Sequence, residues 1–259
     1  MRFVRKTRRF DYTNQSLADS LELKKSAVKT AFLRWSGLSP KQFLSNLDIR
    51  SQTDGVRKRN IRARMHFPHQ VEICLEVTKR RKSKEKGPAF DIKYGVYDSQ
   101  FGTLVIAVIE EKICALAFFD NKNLDSTLSA LYQRFAGSLF TNDQDATKAA
   151  YEAIFVGMRT KAMGPVTLTV QGTLFQIKVW KTLLSTTRGQ LFTYGDVART
   201  IGHPRAVRAV GSAVGHNPIS LIIPCHRVIG ATSIFDTQYR WGPDRKLALI
   251  GWEQAAKFP

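Results

Sequence analysis

The sequence predicts an α+β protein in three parts, and three observations carry that prediction. Short amphipathic helical patterns occupy the first 50 or so residues. Alternating apolar runs joined by a polar turn follow between residues 91 and 119. From about residue 170 to the end the apolar spacing is helical again, broken by short glycine-containing turns.

In order along the chain, residues 16–23 form one short amphipathic helix. Residues 24–35 form a second, with Val28, Phe32 and Trp35 near helical spacing. Gly37-Leu38-Ser39-Pro40 stops that helix and opens another, so the segment reads as a helix-turn-helix on a basic background. Residues 51–90 read as a basic, irregular stretch. Its two charge runs, 57–64 and 79–86, suit a solvated linker as well as they suit phosphate contact. Strands are expected over 91–97, 101–109 and 113–119, with Glu110-Glu111-Lys112 as the hairpin. Helices follow over about 125–137 and 143–156. In the last part, helices are expected over 175–184, 194–201 and 205–214, with Pro204 at the first helical position of the third. Ala206, Ala209, Gly211, Ser212, Ala213 and Gly215 make that third helix narrow, with Arg208 projecting from it. Narrowness serves close helix packing or close approach to a DNA groove.

The charge is uneven. The chain carries 40 Lys and Arg against 21 Asp and Glu, a net +19, and residues 1–90 hold 22 against 8 of these, or +14. Such an excess favours a polyanionic partner, nucleic acid ahead of a membrane surface. The three cysteines, Cys74, Cys114 and Cys225, are scattered, which argues against a disulfide framework or a zinc site; no metal and no cofactor is expected. The basic start lacks the apolar stretch of a secretory signal. The longest apolar run, 104–119, is interrupted by Glu110, Glu111 and Lys112. The expected compartment is cytoplasmic, with no membrane partner.

The most informative segment is Pro224-Cys225-His226-Arg227-Val228, directly after the apolar run 221–223. It sets a thiol beside an imidazole and a guanidinium. Nearby cations lower a cysteine pKa and raise the fraction of nucleophilic thiolate, so a covalent nucleophile is the chemistry this segment suits. The bland alternative is a small buried side chain that happens to precede a histidine.

Residues 171–253, with QGTLFQIKVWKTLL, TYGDVARTIGHPRAVRAVGSAVGHNPISLIIPCHRVIG and YRWGPDRKLALIGWE, closely resemble O6-alkylguanine-DNA alkyltransferases. Residues 92–119 resemble the start of the α/β domain that precedes the catalytic domain there. The GLSPKQF helix-turn-helix resembles an AraC-type module, an arrangement like that of Ada-type proteins. The resemblance implies a partial AraC-like helix-turn-helix (1–50), a basic linker or eroded second helix-turn-helix (51–90) and a small α/β, ribonuclease H-like domain (91–165). A mainly helical, winged-helix-like catalytic domain (170–257) completes it. It implies that Cys225 accepts the alkyl group from guanine O6, that His226 takes the thiol proton through a water, and that Glu253 orients His226. Tyr194 lies by the extruded base, Asn217 braces the active-site loop, and Pro224 and Arg227 belong to it. Arg208 fills the stack the base has left, while Ala206, Ala209, Gly211, Ser212 and Ala213 line the DNA. The partner implied is alkylated double-stranded DNA, bound by a monomer, with one turnover per molecule.

The sequence departs from that pattern in two places. Residues 229–238 carry Thr237-Gln238 where the family has a glycine before the tyrosine, which bears on alkyl-group preference. The four-cysteine zinc domain of full Ada proteins has no counterpart, since residues 1–70 contain no cysteine. An Ada-like transcriptional regulator, with the alkyltransferase part as sensor, is the alternative function.

Overall fold

A computed structural model of the protein describes residues 13–36, 38–45, 73–77, 88–119, 124–160, 166–231 and 238–255. The chain divides into two compact units: residues 1–66, 186–207 and 226–259 form one, residues 67–185 and 208–225 the other.

The second of these units is built on a six-stranded sheet. Its strands are β1 (Ile73–Val77), β2 (Asp91–Tyr97), β3 (Leu104–Ile109), β4 (Lys112–Phe118), β5 (Leu139–Asn142) and β6 (Val166–Val170), in the order β1-β6-β4-β3-β2-β5. The β3–β4 pair is antiparallel, and its hairpin turns through Glu110 and Glu111 at φ 48° and 64°. Two consecutive positive φ values are what a two-residue hairpin needs to match strand twist. Every residue of β3 is buried, as suits a strand at the centre of a sheet. Helices α4 (Leu124–Arg134) and α5 (Gln144–Thr160) complete the α/β part. Ile92, Ala107, Cys114, Leu131 and Phe135 share one core there.

Helix α6 (Leu174–Leu184) opens with a capping box between Thr173 and Gln176, the QGTLFQ segment of the sequence. Its Trp180 is fully buried and donates from Nε1 to the Ala213 carbonyl, 2.9 Å away, in helix α8 (Val207–Gly215). The loop after α8 is sewn to the sheet. Leu116 N–H donates to the Pro218 carbonyl at 3.0 Å, and Ser220 N–H donates to the Leu116 carbonyl at 2.8 Å.

The other unit gathers α1 (Asn14–Ser20), α2 (Lys25–Ser36), α3 (Pro40–Ser45), α7 (Tyr194–Thr200) and α9 (Pro243–Ala255), with β7 (Phe192–Thr193) and β8 (Val228–Ile229) paired in parallel. The GLSP segment has a clear local logic. The Ser39 hydroxyl accepts from Gln42 N–H at 3.3 Å, Ser39 N–H donates to Gln42 Oε1 at 3.0 Å, and Pro40 sits at the first helical position. Helix α7 ends at Gly202, φ 75°, with His203 N–H donating back to the Ala198 carbonyl at 2.9 Å. Leu17, Val28, Phe43 and Leu44 of the N-terminal helices share a core with Leu191, Ile229, Leu247 and Ile250.

Several expectations change. Residues 51–90 were expected to be irregular, yet Ile73–Val77 pair with β6 in parallel, from Ile73 opposite Val166 to Val77 opposite Val170. The short Ile73-Cys74-Leu75-Glu76-Val77 alternation is overshadowed in sequence by the charge runs around it. Both runs, and most of 51–90, lie outside the described residues, as do 232–237 of the departing loop. The boundary expected near 165–170 is not where the compact units divide, because α6 and residues 208–225 bond to the α/β part. Residues 13–45 pack within the same unit as α9 rather than as a separate domain. Pro204 occupies the second position of a turn closed by Ala206 N–H to the His203 carbonyl, 2.9 Å, so α8 begins at Val207.

Candidate active site

The thiol side of the site is a nine-residue loop, 217–225, held by one amide. Asn217 is fully buried. Its Nδ2 donates to the Ile223 carbonyl at 2.8 Å and to Cys225 Sγ at 3.1 Å, while its Oδ1 accepts from Ile219 N–H at 2.9 Å. A single side chain thus fixes both ends of the loop and points an N–H at the sulfur, where it would stabilise negative charge. The loop bends tightly to do this. Leu221 takes φ 69° while Ile222 N–H donates to the Ser220 carbonyl at 2.7 Å. Positive φ in a non-glycine residue stores strain that the surrounding bonds must hold. A second tight turn, around Pro224, brings Cys225 N–H to the Ile223 carbonyl at 2.8 Å. Cys225 is 2% exposed. Burial in the sheet core pushes the Cys114 thiol up to about 12, leaving it a protonated packing group.

The next residue begins the imidazole–carboxylate side. A 3₁₀ turn, Cys225–Arg227, leads into β8, whose pairing with β7 sets its direction. Within the unit that holds 186–207 and 226–259, the carboxylate of Glu253 gathers three N–H donors and the edge of one imidazole. Arg227 Nε lies 2.9 Å from Oε2, Arg227 Nη2 lies 2.8 Å from Oε1, and Gly189 N–H donates to Oε2 at 3.1 Å. His226 Nε2 sits 3.0 Å from Oε1, at ion-pair distance but not aligned as a full hydrogen bond. Burial alone would raise the Glu253 pKa. The Arg227 charge, helped by the contact with His226, outweighs it and holds the carboxyl well below the usual carboxylate range. His226 is fully buried, and that burial lowers its pKa. Glu253 opposes the shift, and the positive charges of Arg227 and Lys246 reinforce it. The imidazole is therefore neutral at neutral pH, the form that can take a proton. Among the described residues its Nδ1 has no hydrogen-bond partner.

The remaining residues singled out from sequence fall as follows. Tyr194 is half-buried at the first position of α7, directly after β7. Arg208, Ala209 and Ser212 are exposed on α8, and Ala206 and Gly211 are partly so. Ala213 does not join them. It is 2% exposed and its carbonyl accepts from Trp180, because a position three residues on from the buried Val210 and adjacent to Val214 falls on the packed side of the helix. Arg227 is more than a loop residue, since its Nη1 also donates to the Thr186 carbonyl at 2.6 Å.

Sequence reasoning missed three contributors. Lys246 is 1% exposed and donates from Nζ to the Val228 carbonyl at 2.6 Å. Gln254 Nε2 donates to the Gly189 carbonyl at 2.7 Å, and Gly189 supplies the N–H already described. No local pattern marks them, although Lys246 lies inside the motif-bearing segment 239–253.

A thiol held by an amide donor, followed in the chain by a buried imidazole–carboxylate pair, is the equipment of thiol-based group transfer. The comparisons narrow that class. The family described as "6-O-methylguanine DNA methyltransferase, DNA binding domain" matches residues 174–255. A probable methylated-DNA–protein-cysteine methyltransferase of Acanthamoeba polyphaga mimivirus is 34% identical over 170 residues, 63% of this chain and 97% of that protein. The methylated-DNA–protein-cysteine methyltransferase of Mycobacterium tuberculosis is 38% identical over 169 residues, 63% of this chain and 93% of the relative. The bifunctional transcriptional activator/DNA repair enzyme Ada of Escherichia coli is 26% identical over 250 residues, 92% of this chain and 69% of that one. Among solved structures, M. tuberculosis OGT in complex with DNA matches with a TM-score of 0.52 and 34% identity, over 62% of this chain and 92% of that one. The chain belongs to the O6-alkylguanine-DNA alkyltransferase (methylated-DNA–protein-cysteine methyltransferase) family. Among the described residues no helix is long and apolar enough to cross a membrane.

Proposed function

We propose that Cys225 is the cysteine that accepts the alkyl group. The activity is that of the family: transfer of an alkyl group from O6-alkylguanine in DNA to a protein cysteine, which consumes the protein. The observation that carries the assignment is the Asn217 amide, which donates to Sγ and pins the loop around it. The sulfur attacks the alkyl carbon, a C–S bond forms and the C–O6 bond breaks. The thiol proton passes through a water to Nδ1 of His226, and the imidazolium so formed is stabilised by Glu253. The departing guanine takes a proton from the Tyr194 hydroxyl beside it, which solvent then restores. The thioether has no hydrolytic exit, so each molecule reacts once.

The substrate in this reading is alkylated duplex DNA. A base inside the stack cannot be reached in line, so it is flipped at a cost of a few kcal/mol. In this reading Arg208, exposed on α8, fills the gap, and the small residues Ala206, Ala209, Gly211 and Ser212 let α8 approach the groove. A monomer suffices for this chemistry, and it calls for no cofactor. A second reading keeps the AraC-like relationship of the N-terminal helices, with the protein acting as an Ada-like regulator. The length of the alignment to Ada, 250 residues, favours some shared ancestry there. A sequence-specific footprint that disappears when residues of α2 and α3 are substituted would support it.

The test of the main reading is intact mass after incubation with duplex carrying one O6-methylguanine. One methylene is gained, it maps to the Cys225 peptide, and Cys225→Ser abolishes it. A gain that maps to Cys74 or Cys114 would overturn the assignment.

A further inference from the structure

Helix α9 carries a glycine in its interior, Gly251, two residues before Glu253. A mid-helix glycine costs up to about 1 kcal/mol relative to alanine, so its presence calls for a packing reason. The reason is Phe43 of α3. A Cβ at position 251 would run into Cζ of the Phe43 ring and stand 2.7 Å from Cε1 and Cε2, far inside contact distance. The ring therefore lies directly on the α9 backbone. Phe43 is fully buried and packs edge-on with Phe32, ring centroids 5.5 Å apart. Leu247 and Ile250 of α9 and Ile229 of β8 belong to the same core as Phe43 and Leu44. The Ser39–Gln42 capping box fixes the start of the short helix that presents the ring.

The two elements on which this N-terminal core rests are those that hold the proton-accepting pair. Helix α9 bears Glu253, and β8 continues directly from His226 and Arg227. From this packing we infer that Phe43 is a positioning residue for alkyl transfer: seated on Gly251, it sets the axial placement of α9 and so the approach of Glu253 to His226. The N-terminal helices are on this account a working part of the reaction unit and not an appended DNA-binding module. The inference rests on the assignment of Cys225, His226 and Glu253 made above.

The test uses the full-length chain in three forms: wild type, Phe43→Leu, and Phe43→Leu combined with Gly251→Ala. Leucine keeps the site apolar but lacks the ring end that meets Gly251, and the added methyl refills that space. Each form is melted, its single-turnover transfer rate is measured on O6-methylguanine duplex, and the His226 ring is titrated by NMR. The groups facing that ring are Glu253, Arg227 and Lys246, with Arg188 near Glu253.

In Phe43→Leu the transfer rate falls by about tenfold, since misplacing a reacting group by ~1 Å costs up to ~100-fold. The His226 titration moves up toward its ordinary value as water enters, and affinity for undamaged duplex changes less than the rate. The double variant recovers rate and titration together. If folded Phe43→Leu transfers and titrates like wild type, Phe43 is only packing and the inference is overturned. A slowed transfer with an unmoved His226 titration overturns it equally, because the effect would not run through the pair. The NMR readout needs no alkyl transfer, so the positional claim is judged even if wild type gains no mass, an outcome that would refute only the transfer reading.

Discussion

Glu253 shows at the residue scale why a buried charge is tolerated. Its carboxylate is fully engaged by Arg227, Gly189 and His226, so desolvation is offset by contacts that water would otherwise supply. Glu253→Gln keeps the shape but leaves the Arg227 guanidinium without its counter-charge. Breaking a buried pair in this way costs about 3–5 kcal/mol, and urea unfolding of the variant measures it. Acid sensitivity follows from the same pair. The pKa values of both His226 and Glu253 are lower in the folded protein than in the unfolded chain. The unfolded chain therefore binds more protons as pH falls, and stability drops with it. The contribution of His226 is intact above its ordinary pKa of about 6.5 and is lost below it. That of Glu253 is intact above about 4.5 and is lost as pH falls further toward its folded value. Unfolding free energy measured from pH 8 to 2 declines in two stages; a flat profile across that range would contradict the pair as described. If His226 is the proton acceptor, the transfer rate holds through most of the first stage and falls only at its acid end, where His226 of the folded protein takes up its own proton.

At the element scale, the helix starts are fixed by short-range chemistry. Thr193 caps α7: its hydroxyl accepts from Asp196 N–H at 3.1 Å, and Asp196 Oδ2 takes the Thr193 N–H at 2.7 Å. Arg199 pairs with the same aspartate. The cap lies one residue before Tyr194 and within β7, so it orients the tyrosine as well as the helix. Thr193→Ala costs about 1 kcal/mol of stability. It also slows transfer on duplex by more than that loss explains, read by comparing the fall in thermal midpoint with the single-turnover rate. An equal rate in the folded variant would leave Tyr194 without its proposed part in the reaction. This level was largely legible in the sequence. The capping pairs Ser39/Gln42, Thr173/Gln176 and Thr193/Asp196 sit three residues apart, and the β3–β4 hairpin announces itself by Glu110-Glu111 between apolar runs. The strand β1 was not legible, because five residues of alternation between two charge runs gain meaning only from the neighbouring strand β6.

Over the whole molecule the excess of positive charge is the dominant feature. Lys24, Lys25, Lys29, Arg34 and Lys41 are all exposed on the N-terminal helices. If they neutralise phosphates, replacing Lys24, Lys25 and Lys29 with alanine weakens duplex binding uniformly across sequences. It flattens the plot of log affinity against log salt by about 0.9 for each phosphate no longer neutralised, a change that a fluorescence titration from 50 to 200 mM salt resolves. An unchanged slope would take these lysines out of the DNA interface. Substitution, not deletion, is the informative change, because residues 13–45 share a core with α9.

By itself the sequence determined most of the helices, the strands β2, β3 and β4, the direct succession of Cys225, His226 and Arg227, and the narrow helix with Arg208. Each of these is written in residues no more than a few places apart, where periodicity, capping and covalent adjacency act without help from the rest of the chain. Only the tertiary structure decided that Glu253 meets Gly189 and Arg227, that Lys246 is buried against β8, that Ala213 faces Trp180, and that Phe43 rests on Gly251. Those outcomes depend on side chains tens or hundreds of residues apart filling one another's space, and close packing of that kind leaves no periodic trace along the chain.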